Sequence, residues 1–245
     1  MFGTAIHYGI CYCYEQNVDG AMDAFNEVWD NADVQADDKR NPMIAKKIFE
    51  DLARNHCSSN CLYNVVNPNG MGVEMQDKIS DNEVAFAIDV GVDIPLVGRI
   101  DCLGEHKDTG KLWVVDYKTT TRLSVRFLKN HDMSPQVMCY TLGVRTLTDK
   151  DVPGAIIVGI KVAKTTQGTQ THLCYVEDHH VERFIKWVHQ QHAGIRACEE
   201  KEEWPCNFGA CGGLYGCPYK CLCEQEDWTV LKSLYEVVPE KPFIL

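Results

Sequence analysis

Residues 113–118, WVVDYK, restrict the possible folds of this chain more than any other segment. The three apolar residues at its start predict a strand inside a sheet, yet the same strand carries Asp116 and Lys118. Successive side chains on a strand point to opposite faces, so the aspartate and the lysine project from the same face. A buried charge is costly unless it is paired or binds a metal ion. The segment therefore predicts either an ion pair near a strand end or a functional site.

A second strand-like segment, residues 96–103, carries Asp101 in the sequence GRIDC. The polar stretch between the two segments predicts a turn, so we expect a hairpin through residues 104–111, in which Asp101 and Asp116 can converge. Two carboxylates and an ammonium group at one point become favourable when a divalent cation lies between the acids, and Mg²⁺ prefers oxygen ligands. Such an ion can activate a water molecule and offset the charge that develops on a phosphate. Lys118 would position that water or stabilise the transition state.

The rest of the chain alternates between helical and strand-like patterns. Helices are predicted at residues 4–15 with Thr4 as N-cap, 19–31, 42–55 with Pro42 at the start, 121–130, 134–147 with Ser134 as N-cap, and 179–199. Further strands are predicted at residues 72–79, 83–93, 155–163 and 171–177. This order predicts an α/β fold with a central mixed β-sheet flanked by helices. We expect one main domain over residues 1–203, with N-terminal helices within residues 1–66, and a Cys-rich C-terminal tail over residues 204–245 packed on it.

The composition is that of a globular protein, with 245 residues, of which 45% are hydrophobic and 24% charged. The formal net charge of −11 argues against a general nucleic-acid coat protein, which would be basic, but leaves room for a local basic channel. Such a channel is suggested by residues 117–131, which hold four cations and no acid. On a helix over residues 121–130, Arg122, Arg126 and Lys129 would share one face. That face is either solvated surface or a contact with DNA phosphates.

Targeting signals are not evident in the sequence. No apolar run reaches the roughly 18 residues that a membrane helix needs, and the N-terminus lacks the basic region of a signal peptide. We therefore expect a cytoplasmic protein without a membrane partner. In a reducing compartment the thirteen cysteines would not form disulfides. Most of them are expected to be small buried hydrophobes, but five lie close together in the tail: Cys206, Cys211, Cys217, Cys221 and Cys223.

Taken together, GRID and VVDYKT resemble the PD-(D/E)xK nuclease superfamily in its RecB-type exonuclease branch, which includes phage recombination exonucleases and CRISPR-associated adaptation nucleases. The segment GTAIH at residues 3–7 resembles the family's Gly-x-x-x-His helix, and QVMCY at residues 136–140 resembles its Gln-x-x-x-Tyr motif. The motifs follow the family order from Gly3 to Cys223. The resemblance implies a restriction-endonuclease-like core.

The same resemblance implies roles for individual residues. His7, Asp101, Asp116 and the backbone carbonyl of Tyr117 would bind Mg²⁺ or Mn²⁺. Lys118 would orient the nucleophile, and Gln136 and Tyr140 would brace the lysine or the DNA strand. Glu74, in GVEMQD, resembles a glutamate that often precedes the core strands, although an ordinary edge-strand acid is an equal alternative.

The segment YGCPYKCLC resembles the C-terminal cysteine box of the family. Relatives with a 4Fe-4S cluster use three C-terminal cysteines and one cysteine before the Gly-x-x-x-His helix. The spacing of Cys217 and Cys223 agrees with that pattern, whereas the five residues between Cys211 and Cys217 replace the family's two. The fourth ligand would be Cys206, Cys221 or an N-terminal cysteine such as Cys11. The tail would bind a 4Fe-4S cluster or Zn²⁺, or pack as free thiols.

The sequence thus predicts a metal-dependent deoxyribonuclease, an exonuclease that hydrolyses phosphodiester bonds at DNA ends in recombination, repair or phage DNA processing. Its partner would be single- or double-stranded DNA, with assembly as a homo-oligomer or with a recombination partner protein. One alternative is a non-catalytic DNA-binding or assembly subunit that keeps the fold. Another is a thiol-redox or structural zinc protein. Dependence of activity on Mg²⁺ or Mn²⁺ separates the first interpretation from both alternatives.

Overall fold

The structure is a computed structural model, which describes residues 1–32, 36–57, 61–66, 83–148, 150–205, 208–211, 217, 219–224 and 235. The chain divides into two compact units, Met1–Lys186 and Trp187–Ile244. All the predicted catalytic residues that the structure describes belong to the first unit, and the cysteines of the tail belong to the second. The predicted domain boundary between residues 203 and 204 stays a prediction.

Three helices open the chain: α1 (Phe2–Tyr14), α2 (Val18–Asp30) and α3 (Pro42–Asp51), the last continued by a π-helical turn over Leu52–His56. Side chains of Asn17 and Asn41 cap the N-termini of α2 and α3. The prediction of Thr4 as the cap of α1 is wrong. The carbonyl of Met1 already accepts a hydrogen bond from the Ala5 N–H, so Thr4 lies within the first turn.

The described residues then form seven strands: β1 (Tyr63–Val66), β2 (Val84–Ile88), β3 (Leu96–Ile100), β4 (Cys102–His106), β5 (Leu112–Thr120), β6 (Gly154–Lys161) and β7 (Thr169–Tyr175). Five form one sheet in the order β1-β4-β5-β6-β7, while β2 and β3 pair separately. Strands β5 and β6 are parallel and the other pairs are antiparallel. The predicted mixed sheet flanked by helices is confirmed. Strand β1 was not predicted, and the strand predicted at residues 72–79 lies outside the described residues.

The segment predicted as one strand, residues 96–103, is broken at Asp101. Strand β3 pairs with β2 as far as Ile100, and β4 begins at Cys102 and pairs with β5. The predicted hairpin between β4 and β5 is confirmed, but the prediction of one continuous strand is wrong. The carboxylate of Asp101 accepts a hydrogen bond from the Tyr117 N–H at 2.8 Å, so a side chain interrupts the backbone ladder here.

Helices α1–α3 pack on one face of the sheet and form an apolar core with it. The side chains of β5 that point into this core are Trp113, Val115 and Tyr117. Because side chains alternate along a strand, Asp116 and Lys118 point to the other face. Strand alternation in the sequence predicted this separation.

Five further helices complete the described part of the chain: α4 (Val125–Lys129), α5 (Pro135–Thr148), α6 (Asp178–Lys201), α7 (Phe208–Cys211) and α8 (Lys220–Cys223). The Ser134 hydroxyl accepts a hydrogen bond from the Val137 N–H at 3.2 Å, as expected for the N-cap of α5. In the described part of the chain, every helix is too short or too polar to cross a membrane.

Helix α4 is shorter than the predicted helix over residues 121–130. The side chain of Ser124 accepts a hydrogen bond from the Phe127 N–H at 3.2 Å and caps the helix, and β5 extends to Thr120 before it. Arg122 therefore precedes the helix. The prediction that it shares a helix face with Arg126 and Lys129 is wrong.

Candidate active site

Asp116 and Lys118 form an ion pair at the centre of the sheet. The Lys118 Nζ lies 2.8 Å from Asp116 Oδ2 and donates a hydrogen bond to Oδ1 at 3.0 Å. The side chain of Asp116 is only 4% exposed and that of Lys118 is 24% exposed. Asp116 Oδ2 is buried, and among the described residues its contact with Lys118 Nζ is electrostatic and lacks the geometry of a hydrogen bond. This oxygen therefore keeps a lone pair for another partner.

Asp101 reaches the same region from the break between β3 and β4. Strand β4 pairs with β5 from Glu105 to Cys102, and no described strand pairs with the following residues of β5 on that side. Asp101 occupies this edge, where its Oδ2 accepts the Tyr117 N–H. Its Oδ1 lies 3.6 Å from the Nδ1 of His7 on α1. Three elements that are distant in sequence thus bring two carboxylates and an imidazole together.

The charges of these groups affect one another, as expected for neighbours. Burial and the Asp101 carboxylate raise the pKa of Asp116 to about 6. Burial alone would raise the pKa of Asp101, but its contacts with His7 and with the Tyr117 N–H lower it below the ordinary value. Burial would lower the pKa of His7, but the Asp101 and Asp116 carboxylates raise it overall. The site therefore holds more negative charge than Lys118 neutralises.

The ring of Tyr117 anchors β5 from the opposite face. Its hydroxyl contacts those of Tyr14 and Tyr63, the latter at 3.2 Å, and the Tyr14 and Tyr63 oxygens are 2.6 Å apart. The ring also makes an edge-on contact with His7, at 6.2 Å between ring centroids. These contacts fix the backbone between Asp116 and Lys118, which supports a precise placement of both charges.

Gln136 and Tyr140 lie one turn apart on α5, as the sequence predicted. The Gln136 Nε2 donates a hydrogen bond to the Tyr140 hydroxyl at 3.1 Å. Burial raises the pKa of Tyr140, and the Asp116 and Asp101 carboxylates raise it further. The phenol is therefore close enough to the two acids to sense their charge.

Arg122, Arg126 and Lys129 are all exposed. Helix α4 lies on the face of the sheet that carries Lys118, because Leu128 packs against Gly159, the residue of β6 in register with Lys118. A Cβ atom at Gly159 would lie 2.5 Å from the Leu123 side chain and 2.9 Å from the Leu128 side chain, so a larger residue would force both leucines to shift. The exposed cations of α4 are thus held beside the strand that carries the lysine.

Glu83 is a further acid near the site that the sequence analysis missed. Val84 is in register with Ile100, which places Glu83 opposite Asp101. Its Oε2 is buried without a hydrogen bond from the described residues, and Arg99 Nε lies 4.0 Å away. Burial raises its pKa, and Asp101 adds to the increase. The pairing register of β2 and β3 reveals this acid, which no local sequence motif marks. The predicted second acid, Glu74, belongs to residues 67–82, which lie outside the described part of the chain.

The tail cysteines do not converge within the described part of the chain. Cys211 and Cys217 are half-buried, whereas Cys221 and Cys223 are exposed. The Sγ of Cys221 lies 2.8 Å from the Tyr235 hydroxyl. Among the described residues of the tail, no three potential ligand atoms lie within 4.8 Å of one another. Cys206 lies outside these residues, so the predicted cluster or zinc site stays a prediction.

Comparison with known proteins identifies the family. The chain matches the model of the PD-(D/E)XK nuclease superfamily over residues 1–224. No curated protein matches it. It is similar to the crystal structure of a candidate exonuclease from Eubacterium rectale, with 16% sequence identity, a TM-score of 0.49, and coverage of 91% of this chain and 79% of that chain. Because the family model covers most of its length, the chain belongs to the PD-(D/E)XK nuclease superfamily.

Proposed function

We propose that this protein is a Mg²⁺- or Mn²⁺-dependent deoxyribonuclease that degrades DNA from its ends. The superfamily supports nuclease activity in general, and its members generally use such divalent metals. One observation carries the proposal for this chain. A buried aspartate, one of whose oxygens accepts no hydrogen bond from the described residues, pairs with a lysine and lies close to a second aspartate and a histidine.

The donor atoms fit a hard divalent cation. His7, Asp101 and Asp116 would hold it, with the Tyr117 carbonyl as a further ligand, and such an ion would activate a water molecule and offset charge on the scissile phosphate. A cation between the carboxylates would also remove the repulsion that raises the pKa of Asp116. Glu83 is placed to orient water around it, since its unbonded oxygen lies near Asp101.

Lys118 supplies the positive charge that a hydrolytic step requires. A water molecule attacks phosphorus, the bond to the leaving 3′ oxygen breaks, and the products are a 5′-phosphate and a 3′-hydroxyl. The ammonium group can donate a hydrogen bond to the attacking oxygen or to a phosphoryl oxygen that gains charge. Asp116 accepts the hydrogen bond that holds Lys118 in place.

The remaining predicted residues would act on the DNA strand. The Gln136 amide and the Tyr140 hydroxyl already share a hydrogen bond beside the acids, so they can brace Lys118 or a phosphate. Arg126 and Lys129 lie beside the strand that carries Lys118, and with Arg122 they would contact phosphates. We also propose that the enzyme acts in the cytoplasm, in recombination, repair or phage DNA processing, as an oligomer or with a protein partner.

A comparison of linear and circular DNA tests the proposal. End-labelled linear DNA and covalently closed circles should be incubated with the full chain, with chelator, Mg²⁺ or Mn²⁺. When Mg²⁺ or Mn²⁺ is present, we expect linear DNA to be degraded to mononucleotides or short products and circular DNA to stay intact. With chelator, neither substrate should be degraded. Asp101→Asn should abolish the reaction. Asp89→Asn changes an exposed aspartate in the connection between β2 and β3, and it should leave the reaction unchanged. Cleavage of circles would overturn the exonuclease assignment, and binding of DNA without any metal-dependent cleavage would favour the non-catalytic subunit.

A further inference from the structure

A second group of potential metal ligands lies outside the nuclease site. The Nε2 of His172 on β7 lies 2.5 Å from the Oδ1 of Asp132, which belongs to the loop between α4 and α5. Cys174 lies two residues further along β7, so its thiol projects from the same face as His172. One ligand atom from each of the three residues lies within 4.8 Å of the others. We propose that Asp132, His172 and Cys174 bind a zinc-type divalent ion.

The sheet register explains why these side chains meet. His172 and Cys174 alternate with Leu173, so both point to one face while Leu173 packs on the apolar core of the other. Asp116, Ile157 and His172 lie in one row across β5, β6 and β7. The group therefore lies on the face that carries Asp116, two strand spacings or roughly 10 Å away. This spacing makes it a separate site.

The three donors suit zinc better than magnesium. Thiolate and imidazole are ligands that Zn²⁺ accepts readily, whereas Mg²⁺ favours oxygen atoms. Three protein ligands and one open position are typical of a zinc site that keeps a water molecule or binds another group. Ligand atoms around a tetrahedral zinc ion are roughly 3.5 Å apart. Asp132 is 44% exposed, so its side chain can rotate to widen its 2.5 Å contact with His172 to this spacing.

The burial of the three residues also suits a metal site with access to solvent. Cys174 is fully buried, and the side chain of His172 is 22% exposed. His172 borders a cavity of about 440 Å³ along β7, through which an ion could enter.

Metal binding here would affect the architecture of the nuclease domain. Strand β7 is the last strand of its sheet, and Asp132 lies three residues before Pro135, where α5 begins. An ion held by Asp132, His172 and Cys174 would tie the loop before α5 to that edge strand. Because Gln136 stands in the first turn of α5, the ion would fix the starting point of the helix that carries the Gln136–Tyr140 pair.

Cobalt is a suitable probe, because a thiolate ligand gives Co²⁺ a charge-transfer absorption in the near ultraviolet that oxygen ligands do not give. The full chain, with Cys206, Cys211, Cys217, Cys221 and Cys223 replaced by serine to silence the tail, should be freed of metal and titrated with Co²⁺ and then Zn²⁺. We expect one equivalent of cobalt to produce the band and one equivalent of zinc to remove it. Absence of the band at saturating cobalt would overturn the proposal.

Matched variants identify the ligands. Cys174→Ala should remove the band, whereas Cys139→Ala, which removes another buried thiol, should retain it. If Cys174→Ala does not fold, His172→Gln decides, since that side chain is partly exposed. His172→Gln should weaken zinc binding on the order of 100-fold, and the exposed control His179→Gln should not. Zinc affinity in His172→Gln equal to that of the parent would overturn the proposal. Asp116→Asn should leave the band intact, which separates this site from the nuclease site.

Discussion

Two lysine–aspartate pairs lie at opposite ends of strand β5 and have almost the same geometry. Lys111 Nζ is 2.7 Å from Asp151 Oδ2 just before the strand, and Lys118 Nζ is 2.8 Å from Asp116 Oδ2 within it. Their surroundings differ. The side chain of Asp151 is 68% exposed, whereas that of Asp116 is 4% exposed.

The difference in burial reverses the electrostatics of the two acids. The hydrogen bond from Lys111 lowers the pKa of Asp151, as in an ordinary surface ion pair. At Asp116, burial and the neighbouring Asp101 outweigh Lys118 and raise the pKa to about 6. Exposed pairs typically contribute only about 0–1 kcal/mol to stability. Contact distance therefore does not distinguish a surface pair from a functional one, while burial and a second acid do.

The largest effect expected from this contrast is on catalysis. Lys118→Met should lower the rate of metal-dependent cleavage on the order of 10³-fold, because it removes the half-buried cation that we propose stabilises the transition state. Lys111→Met removes the same group from the exposed pair and should leave the rate unchanged. Initial rates on end-labelled DNA at saturating Mn²⁺ measure both. If the two variants cleave DNA at equal rates, the buried pair has no catalytic role that the exposed pair lacks.

In the absence of metal, removing the charge of Asp116 should increase the stability of the protein. The pKa of Asp116 is raised in the folded state from 3.8 to about 6, so its contribution to stability is full below pH 4 and is lost as the pH rises through 6. Asp116→Asn removes this loss, and at pH 8 the free energy of unfolding should increase by about 2–3 kcal/mol. At pH 4 the difference from the parent should be small.

Urea unfolding in chelator at the two pH values measures this difference. Asp151→Asn is the control, and it should give no gain at pH 8 because the pKa of Asp151 is lowered rather than raised. Added Ca²⁺ should stabilise the parent chain and not Asp116→Asn, since the ion needs the carboxylate. A loss of stability in Asp116→Asn at pH 8 would show that the Lys118 contact outweighs burial.

A smaller effect is expected at His7, whose imidazole is 26% exposed and touches Asp101 from another element. His7→Gln should raise the half-saturating Mn²⁺ concentration by about 10-fold, with a smaller change in DNA affinity. Manganese titration of activity gives the first quantity, and DNA binding in Ca²⁺ gives the second. His56→Gln, a buried histidine bonded to Tyr63, is the matched control. An unchanged manganese requirement in His7→Gln would remove His7 from the ligand set.

The sequence correctly predicted those side-chain positions that depend on a single strand or a single helix. Alternation along β5 placed Asp116 and Lys118 on one face, and the four-residue spacing on α5 placed Gln136 beside Tyr140. It failed where a side chain competes with the backbone. Asp101 breaks a segment that looks continuous, and Ser124 delays a helix that the apolar pattern would begin earlier.

Local sequence patterns also could not predict contacts between residues that are distant in sequence. The register of β2 with β3 brings Glu83 opposite Asp101, and a loop brings Asp132 to His172, 40 residues later in the chain. Neither pair has a motif, because the spacing between the partners depends on the intervening helices and strands. Such juxtapositions follow only from the assembled sheet.

The smallest effects concern exposed cations, which resemble Lys111 in burial but are proposed to act on DNA. Arg126 and Lys129 are exposed on α4, which packs beside the Lys118 strand through Leu128 and Gly159. If each contacts one phosphate, Arg126→Ala and Lys129→Ala should each reduce the slope of log K against log salt by about one, regardless of DNA sequence. Lys46→Ala, an exposed change on α3 across the sheet, should leave the slope unchanged. Binding should be measured in Ca²⁺ between low and physiological salt, so that turnover does not interfere. Because Arg122 precedes the helix, Arg122→Ala need not change the salt slope as the other two variants do. If none of the three variants changes the slope, these cations are ordinary surface charges like Lys111.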